Sequence, residues 1–390
     1  MNAKEARTYW GVVILFAILL GVVLQVAECM AQPYPRLASY HGGSSGGYPF
    51  VKSDGKLDDD LIRQTARYQM VTLNPNACEL RPDLLQRFRY YNPNCRLLFY
   101  HQLTNWHLDS SFVLNPKDTT FYGEQQRATN WAHGWLPGAP AYSGFPLDWK
   151  QADLADTLTR LWVGLSRRTR PDGWFFDYLN VIGTGSYGIT PDDDQSRLYH
   201  TRRLVAALQA DGMLVYGNGG PYGQDRVPLD GGMLEGFPSS LTSFEMAIKQ
   251  EPGDWLKSES PVGTTGNARL ARYTLGVACL TGAWSEHGTS HYYGTPEQGT
   301  WWFPEYAVSP TGKPDPTGRY TGWLGYPKGA TSRLTPTGWL AKFDHGVVVV
   351  NTGSSTWNAP LGGTYKRIGS TSGVTTVSVP AMDAVFLWSD

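Results

Sequence analysis

The chain has 390 residues, of which 41% are hydrophobic and 17% are charged, and its formal net charge is −1. A chain of this length and composition can bury a large core, with room for one domain of barrel size and a smaller one beside it. The near-zero net charge argues against nucleic acid as a partner. Aromatic residues are numerous, with 15 Trp, 22 Tyr and 14 Phe. Rings in loops are typical of surfaces that stack against sugars, although most rings belong to cores.

Residues 1–31 are predicted to be a targeting segment. A basic start is followed by an uncharged apolar run over residues 9–27, which indicates export to a secreted or extracytoplasmic location. Cleavage after Ala31 would make the segment a signal peptide. The same run is long enough to stay as a membrane anchor if it is not cleaved. Cys29 suggests a lipoprotein as a third alternative, which Glu28 disfavours because a small residue is preferred there.

Short apolar runs alternate with amphipathic helical stripes over most of the chain that follows. Eight βα units over about 290 residues predict a (β/α)8 TIM barrel at residues 32–327. A doubly wound sheet is the alternative, and the regular count disfavours it. Helices are predicted over residues 58–68, 82–91, 154–165, 190–212, 240–248 and 267–280. The predicted strands end after Tyr40, Leu73, Tyr100, Phe176, Tyr216, Leu234 and Trp284, with a weaker strand at 261–264.

Helical stripes stop near residue 328, and short apolar runs between turns take their place. This pattern predicts a small antiparallel β-sandwich domain at residues 328–390. Its strands are predicted over residues 338–343, 346–350, 365–368 and 384–388.

Three cysteines lie beyond the targeting segment, at Cys78, Cys95 and Cys279. If the βα pattern is right, Cys78 and Cys95 lie at opposite ends of the sheet, separated by about 13 Å of helix. That separation is too large for a disulfide, so free and mostly buried thiols are expected.

Two acids stand where predicted strands end. Asp177 closes the run Gly173-Trp174-Phe175-Phe176, the fourth strand, and Glu235 follows Met233-Leu234, the sixth. Active sites of parallel barrels lie at the carboxyl ends of the strands, so these carboxyls should face one mouth. Two carboxyl groups flanking a bond are what glycoside hydrolysis requires, and Glu235, with the longer reach, is the expected acid. The alternative for Asp177 is that it only caps the loop that follows it.

Several motifs support this interpretation by resemblance. They are Gly173-Trp174-Phe175-Phe176-Asp177, Met233-Leu234-Glu235-Gly236-Phe237, Gly325-Tyr326-Pro327 and the run from Lys342 to Asn351. Together they resemble TIM-barrel glycoside hydrolases that carry a C-terminal β domain, and the similarity spans residue 36 to the end. The chain is also distantly similar to the α-galactosidase-like clan, which implies Asp177 as nucleophile and Glu235 as acid/base. That clan usually has Asp on the sixth strand, so Glu235 departs from it.

Other polar and aromatic residues near predicted strand ends are candidates for substrate binding. The polar candidates can equally serve their own loops, and at least half of the tryptophans should pack within their loops. The candidates are His101, Tyr178, Asn180, Asn218, Glu286 and His287, with Trp106, Trp131, Trp135, Trp301 and Trp302 as aromatic platforms.

No cofactor or metal is expected. The glycines of 183–188 fit a dinucleotide motif, but the predicted helix begins only at Pro191, too late to bind a pyrophosphate. The scattered histidines lack a metal-binding order, and no GxSxG esterase motif occurs. The expected function is therefore an exported glycoside hydrolase whose partner is a carbohydrate, with no obligate protein partner evident. The alternatives are a non-catalytic carbohydrate-binding surface protein and a scaffold in a surface assembly.

Overall fold

The computed structural model describes residues 32–41, 50–102, 105–106, 145–146, 150–177, 191–218, 227–234, 256–259, 268–287 and 302–389. Strands and helices alternate through its first part. In chain order they are β1 (Ala38–His41), α1 (Asp59–Thr65), β2 (Met70–Leu73), α2 (Pro75–Leu80), α3 (Asp83–Tyr91), β3 (Arg96–Gln102), β4 (Asn105–Trp106), β5 (Phe145–Pro146), α4 (Ala152–Thr169), β6 (Gly173–Asp177), α5 (Pro191–Ala210), β7 (Leu214–Asn218), β8 (Gly231–Leu234), β9 (Leu256–Glu259), α6 (Ala268–Thr281) and β10 (Trp284–His287).

Eight of these strands form one parallel sheet in the order β1-β2-β3-β6-β7-β8-β9-β10. Its end strands meet, because Leu37 bridges Ser285 in parallel and the Ser285 amide donates to the Arg36 carbonyl. A path that follows paired residues from strand to strand once around the ring arrives on β1 eight residues away from its starting residue, and this offset is the shear of the barrel. Eight strands with a shear of eight are the geometry of a TIM barrel. The full set of eight helices stays a prediction, since parts of the connections lie outside the described residues.

Side chains alternate between the barrel interior and the helix layer along each strand. The interior cluster takes one or two residues from each of seven strands, including Leu98, Phe175 and Tyr216. Their neighbours along the strands, such as Phe99, Trp174 and Val215, pack in the outer core against the helices. Because the strand period is two, the interior face at the end of β6 falls to Asp177.

Polar side chains at the strand starts connect neighbouring strands. The Asp172 carboxylate accepts from the Leu97 amide at 2.8 Å, and that of Asp230 accepts from the Val215 amide at the same distance. The Gln69 side chain accepts from the Leu37 amide at 2.9 Å. These bonds hold the register at the amino end of the barrel, away from the predicted mouth.

A six-stranded antiparallel sheet forms the C-terminal part. The strands are β11 (Ser332–Arg333), β12 (Gly338–Phe343), β13 (Gly346–Asn351), β14 (Trp357–Arg367), β15 (Gly373–Val379) and β16 (Asp383–Trp388), in the order β11-β12-β13-β16-β14-β15. One face packs into the barrel's outer core through Val348, Val350 and Ala384. On the other face, Val347 and Val349 cluster with Val377 of β15. The predicted β-sandwich is thus one continuous sheet whose outer strands cover its second face.

Helix α6 packs directly on the C-terminal sheet. Gly276 lets it approach, since a Cβ at that position would lie 2.4 Å from Ala384 Cβ. Beside it, the Arg272 guanidinium pairs with the Asp383 carboxylate through two bonds, of 2.7 and 3.1 Å. The Asp383 side chain is only 3% exposed, and burial raises the pKa of the nearby Glu305. Apolar contact and the partly buried Arg272–Asp383 ion pair therefore join helix α6 to the C-terminal sheet.

Asp383→Ala is expected to destabilise the protein by about 2 kcal/mol, because it leaves a partly buried guanidinium without its bidentate partner. Urea unfolding of Asp383→Ala, Arg272→Ala and the double variant would measure the coupling between the two residues. Asp54→Ala, which removes an exposed ion pair with Lys56, is the matched control and should change stability little. A loss for Asp383→Ala no larger than that of the control would contradict this account of the interface.

Some predicted elements differ from the observed ones. The seventh strand of the ring is β9, whose Leu256-Lys257-Ser258-Glu259 contains a single apolar residue and was not predicted. The weak strand predicted at 261–264 lies outside the described residues. Helix α2 and strand β15 were not predicted, and β14 is longer than the predicted run at 365–368. The predicted helix at 240–248 lies outside the described residues.

All three cysteines beyond the targeting segment are buried, as predicted, and are free thiols. Burial raises the pKa of each thiol, so none has the character of a reactive thiolate. Within the described ranges no helix is both long and apolar enough to span a membrane. The apolar run at 9–27 is not among them.

Candidate active site

The Asp177 carboxylate lies at the carboxyl end of the fourth barrel strand and is held by two neighbouring strands. Its Oδ2 accepts a 2.7 Å hydrogen bond from the Tyr100 hydroxyl of β3. Its Oδ1 accepts a 2.8 Å bond from Asn218 Nδ2 of β7. Asp177 is only partly buried. These two hydrogen bonds fix the orientation of the carboxylate, and its partial exposure leaves it accessible at the mouth.

Three aromatic rings form the floor beneath this carboxylate. The rings of Tyr40 and Tyr100 meet edge to face at 5.1 Å, and Tyr100 stacks on Phe175 at 6.1 Å. Tyr100 is partly buried, and burial raises the pKa of Tyr100 well above its ordinary value. The nearby Tyr40 and Asp177 add to the shift. Tyr100 therefore stays protonated and donates to Asp177.

The sequence around Asp177 fixes its backbone from the outer side. Trp174 Nε1 donates to Ser166 Oγ of α4 at 2.8 Å, and the Trp174 and Phe176 rings stack nearly parallel at 5.6 Å. At the start of the strand, a Cβ on Gly173 would lie 2.2 Å from the Leu214 carbonyl, so glycine permits the close approach of β7. A strand packed tightly against its helix and its neighbouring strand gives its last side chain a defined direction.

Asn218 is the sequence-predicted binding residue that the structure brings to Asp177. Glu286 lies within β10 rather than beyond its end, and it is 3% exposed. It lies two residues after Trp284, whose ring is in the barrel interior. Because side chains alternate along a strand, Glu286 also faces the interior. The inner face therefore carries a second carboxyl, the buried Glu286 on the eighth strand.

Two candidates lie away from the mouth. His101 is 3% exposed and its ring contacts Trp162 of α4 at 5.3 Å, in the layer between strand and helix. Strand alternation explains this, since the Tyr100 side chain before it faces inward. Trp302 lies under the Arg67 guanidinium and beside Tyr68, which precedes β2 at the amino end of the barrel. Neither position supports the predicted contact with a sugar at the mouth.

The other candidates fall outside what the structure describes. Backbone alone is described for Trp106 and His287, in β4 and β10. Strand β8 is described to Leu234, one residue before the predicted acid. The roles of the following residues stay predictions: Glu235, Tyr178, Asn180, Trp131, Trp135 and Trp301.

Tyr40 and Tyr100 are site residues that the sequence interpretation missed. Both are the last residues of predicted strands, and neither was named as a candidate site residue. The alternation of side chains along a strand could have identified them. Tyr40 lies two residues beyond Ala38 and Tyr100 two residues beyond Leu98, so both face the barrel interior. No cluster of three His, Cys, Asp or Glu suited to a metal occurs among the described residues.

Comparisons with known proteins bear on the fold. No family model matches the chain, and a comparison with curated sequences finds no relative. Solved structures do resemble it. A maltogenic α-amylase from Thermotoga neapolitana has a TM-score of 0.56 and 11% identity over 90% of this chain and 98% of that one. Amy13B from Eubacterium rectale has a TM-score of 0.55 and 8% identity over 92% and 97%.

A pullulanase from Anoxybacillus sp. LM18-11, solved with maltotriose, has a TM-score of 0.54 and 10% identity over 91% of this chain and 69% of that one. At such identities the likeness shows the fold alone. It does not single out the α-galactosidase-like clan. The resemblance to TIM-barrel glycoside hydrolases is confirmed at that level: the chain has the fold of these α-amylases and this pullulanase.

Proposed function

We propose that the protein is a glycoside hydrolase that cleaves the O-glycosidic bonds of an oligo- or polysaccharide. The observation that carries the proposal is the Asp177 carboxylate, held by Tyr100 and Asn218 at the carboxyl end of the fourth strand. The fold supports it, because the structures that resemble this chain are named as α-amylases and a pullulanase. In TIM-barrel enzymes the active site lies at the carboxyl ends of the strands.

Glu235 is the proposed partner of Asp177. Met233 faces the barrel interior, and alternation along β8 gives position 235 the same parity. Glycoside hydrolysis needs carboxyls about 5 to 10 Å apart across the scissile bond. Asp177, with both oxygens already accepting hydrogen bonds, suits the ionised role of nucleophile or base. Glu235 then serves as the general acid that protonates the leaving oxygen.

Export is part of the proposal. The uncharged apolar run at residues 9–27 behind a basic start supports translocation, either as a cleaved signal or as an anchor. A secreted or membrane-anchored hydrolase would meet polymeric glycans outside the cytoplasm.

Screening the purified protein against a panel of soluble glycans, with reducing ends as the readout, tests the proposed reaction. Release of new reducing ends from at least one glycan is expected, and Glu235→Gln should abolish it on that glycan. Binding without any bond cleavage across the panel would contradict the enzymatic proposal and favour a carbohydrate-binding protein.

Tyr100→Phe should lower kcat about 10-fold or more while KM changes little, because it removes a hydrogen bond to the charged Asp177 carboxylate. Asn218→Ala should have a comparable effect through the other oxygen. Tyr273→Phe is the matched control: that phenol is buried in α6, and its hydroxyl has no hydrogen-bond partner in the described part of the chain. Equal kcat for Tyr100→Phe and Tyr273→Phe would show that Tyr100 does not position Asp177.

A further inference from the structure

A pocket of about 500 Å³ lies at the end of the barrel opposite Asp177. Its walls come from the end of α1, from the turns that precede β2 and β3, and from the segment 317–321. The first described residues, Gln32 and Pro33, complete it. All of these barrel residues precede the amino ends of their strands, so the pocket is separate from the proposed catalytic mouth. Its volume is in the range of small-molecule sites.

The lining is cationic. Arg63, Arg67 and Arg319 contribute to it, and among the described residues that line the pocket none is Asp or Glu. Arg63 pairs with Asp60 on the exposed surface of α1, and Arg319 lies over the Tyr320 ring at 5.4 Å. Three guanidinium groups around one cavity with no carboxylate in its wall favour an anionic occupant.

Three of the neutral polar side chains in the wall are already engaged in holding the fold. The Gln69 side-chain oxygen accepts from the Leu37 amide, and Asn92 Nδ2 donates to the Ala66 and Tyr68 carbonyls. The Thr317 hydroxyl donates to Asp315. The arginines are therefore the groups best placed to recognise a ligand.

Arg67 is held in place before any ligand arrives. Its Nε donates to the Gln64 carbonyl and its Nη1 to the Pro316 carbonyl, while the guanidinium stacks on Trp302 at 4.3 Å. Arg67 is partly buried, and this burial lowers the pKa of its guanidinium. A partly buried cation fixed by three contacts loses little conformational freedom when it binds an anion.

We propose that this pocket, with Arg67 at its wall and Arg63 and Arg319 around it, binds the carboxylate or phosphate group of a small anionic ligand. The planar guanidinium fork matches the oxygens of both groups. The site lies on the face opposite the mouth, so it does not depend on the proposed hydrolysis.

Isothermal titration of the full chain with galacturonate, galactose and inorganic phosphate tests the site. Galacturonate carries a carboxylate where galactose has a neutral hydroxymethyl group. Binding of galacturonate without binding of galactose would show that the pocket recognises the negative charge. At least one anion should bind, more weakly at high salt. Arg63→Gln and Arg319→Gln, both exposed side chains, should each weaken binding about 10-fold. Arg160→Gln on the outer surface of α4 makes the same charge change and should leave binding unaltered.

Binding of galacturonate alone would identify a carboxylate ligand, and binding of phosphate alone a phosphate ligand. Failure of both anions to bind would overturn the proposal, as would equal binding of galactose or undiminished binding by both pocket variants. Unchanged thermal unfolding midpoints would confirm that these variants fold. Glycan hydrolysis by them should equal that of the wild type, which separates this test from that of the proposed reaction.

Discussion

Asp177→Asn is expected to lower kcat on the order of 10⁴-fold, because the amide cannot serve as nucleophile or base. The geometry should survive the change. Asparagine keeps an oxygen that can accept the Tyr100 hydroxyl bond, while the contact with Asn218 Nδ2 has to rearrange. Steady-state kinetics on the glycan identified by the screen, with thermal unfolding measured in parallel, would separate lost chemistry from lost fold.

Asp211→Asn is the matched control for that experiment. Asp211 lies between α5 and β7 at the amino end of the barrel, where it pairs with the Arg167 guanidinium on the surface. The same change from acid to amide there should leave kcat within about twofold, since surface ion pairs contribute little. If Asp177→Asn kept activity comparable to Asp211→Asn, Asp177 would have no role in catalysis.

Gly276→Leu is expected to destabilise the protein by more than about 3 kcal/mol, because the helix and the C-terminal sheet leave no space for a side chain there. A Cβ alone would lie 2.4 Å from Ala384 Cβ and 2.9 Å from Val350 Cγ2. Gly276→Ala should cost about 1 to 3 kcal/mol for the same reason, despite the better helix propensity of alanine. Urea unfolding would measure both.

Gly164 offers the opposite case within the same protein. It lies inside α4, and the atom that a Cβ would meet is the mobile end of Arg168, at 3.4 Å. Gly164→Ala should therefore stabilise by up to about 1 kcal/mol through helix propensity. Identical substitutions with effects of opposite sign are the signature of a packing limit at Gly276, and a stabilising Gly276→Ala would refute it.

Much of the barrel could be predicted from the chain because its strands are apolar runs bounded by turns. Strand β6 runs from Gly173 to Asp177, as the turn at 171–173 and the terminal acid indicate. Strand β9 was not predicted, because one apolar residue among polar and charged neighbours gives no strand pattern. Its place in the sheet comes from pairing with β8 and β10, a long-range constraint that no local pattern contains.

The candidate site was predictable in part for the same reason. Asp177 and Asn218 both end apolar runs, so both were expected at the mouth. The Tyr100 contact depends on register, since Gln102 pairs with Asp177 and thereby places Tyr100 beside the carboxylate. Register is set by the pairing of strands that are distant in the chain. That register also directs the His101 side chain toward the helices.

The separation between the Asp177 and Glu235 carboxyl carbons in a crystal structure tests the central proposal most directly. A pair that flanks a glycosidic bond should lie about 5 to 10 Å apart, with both groups open to the same cleft. A separation well beyond that range, or a Glu235 side chain that points into the helix layer, would contradict the proposed chemistry.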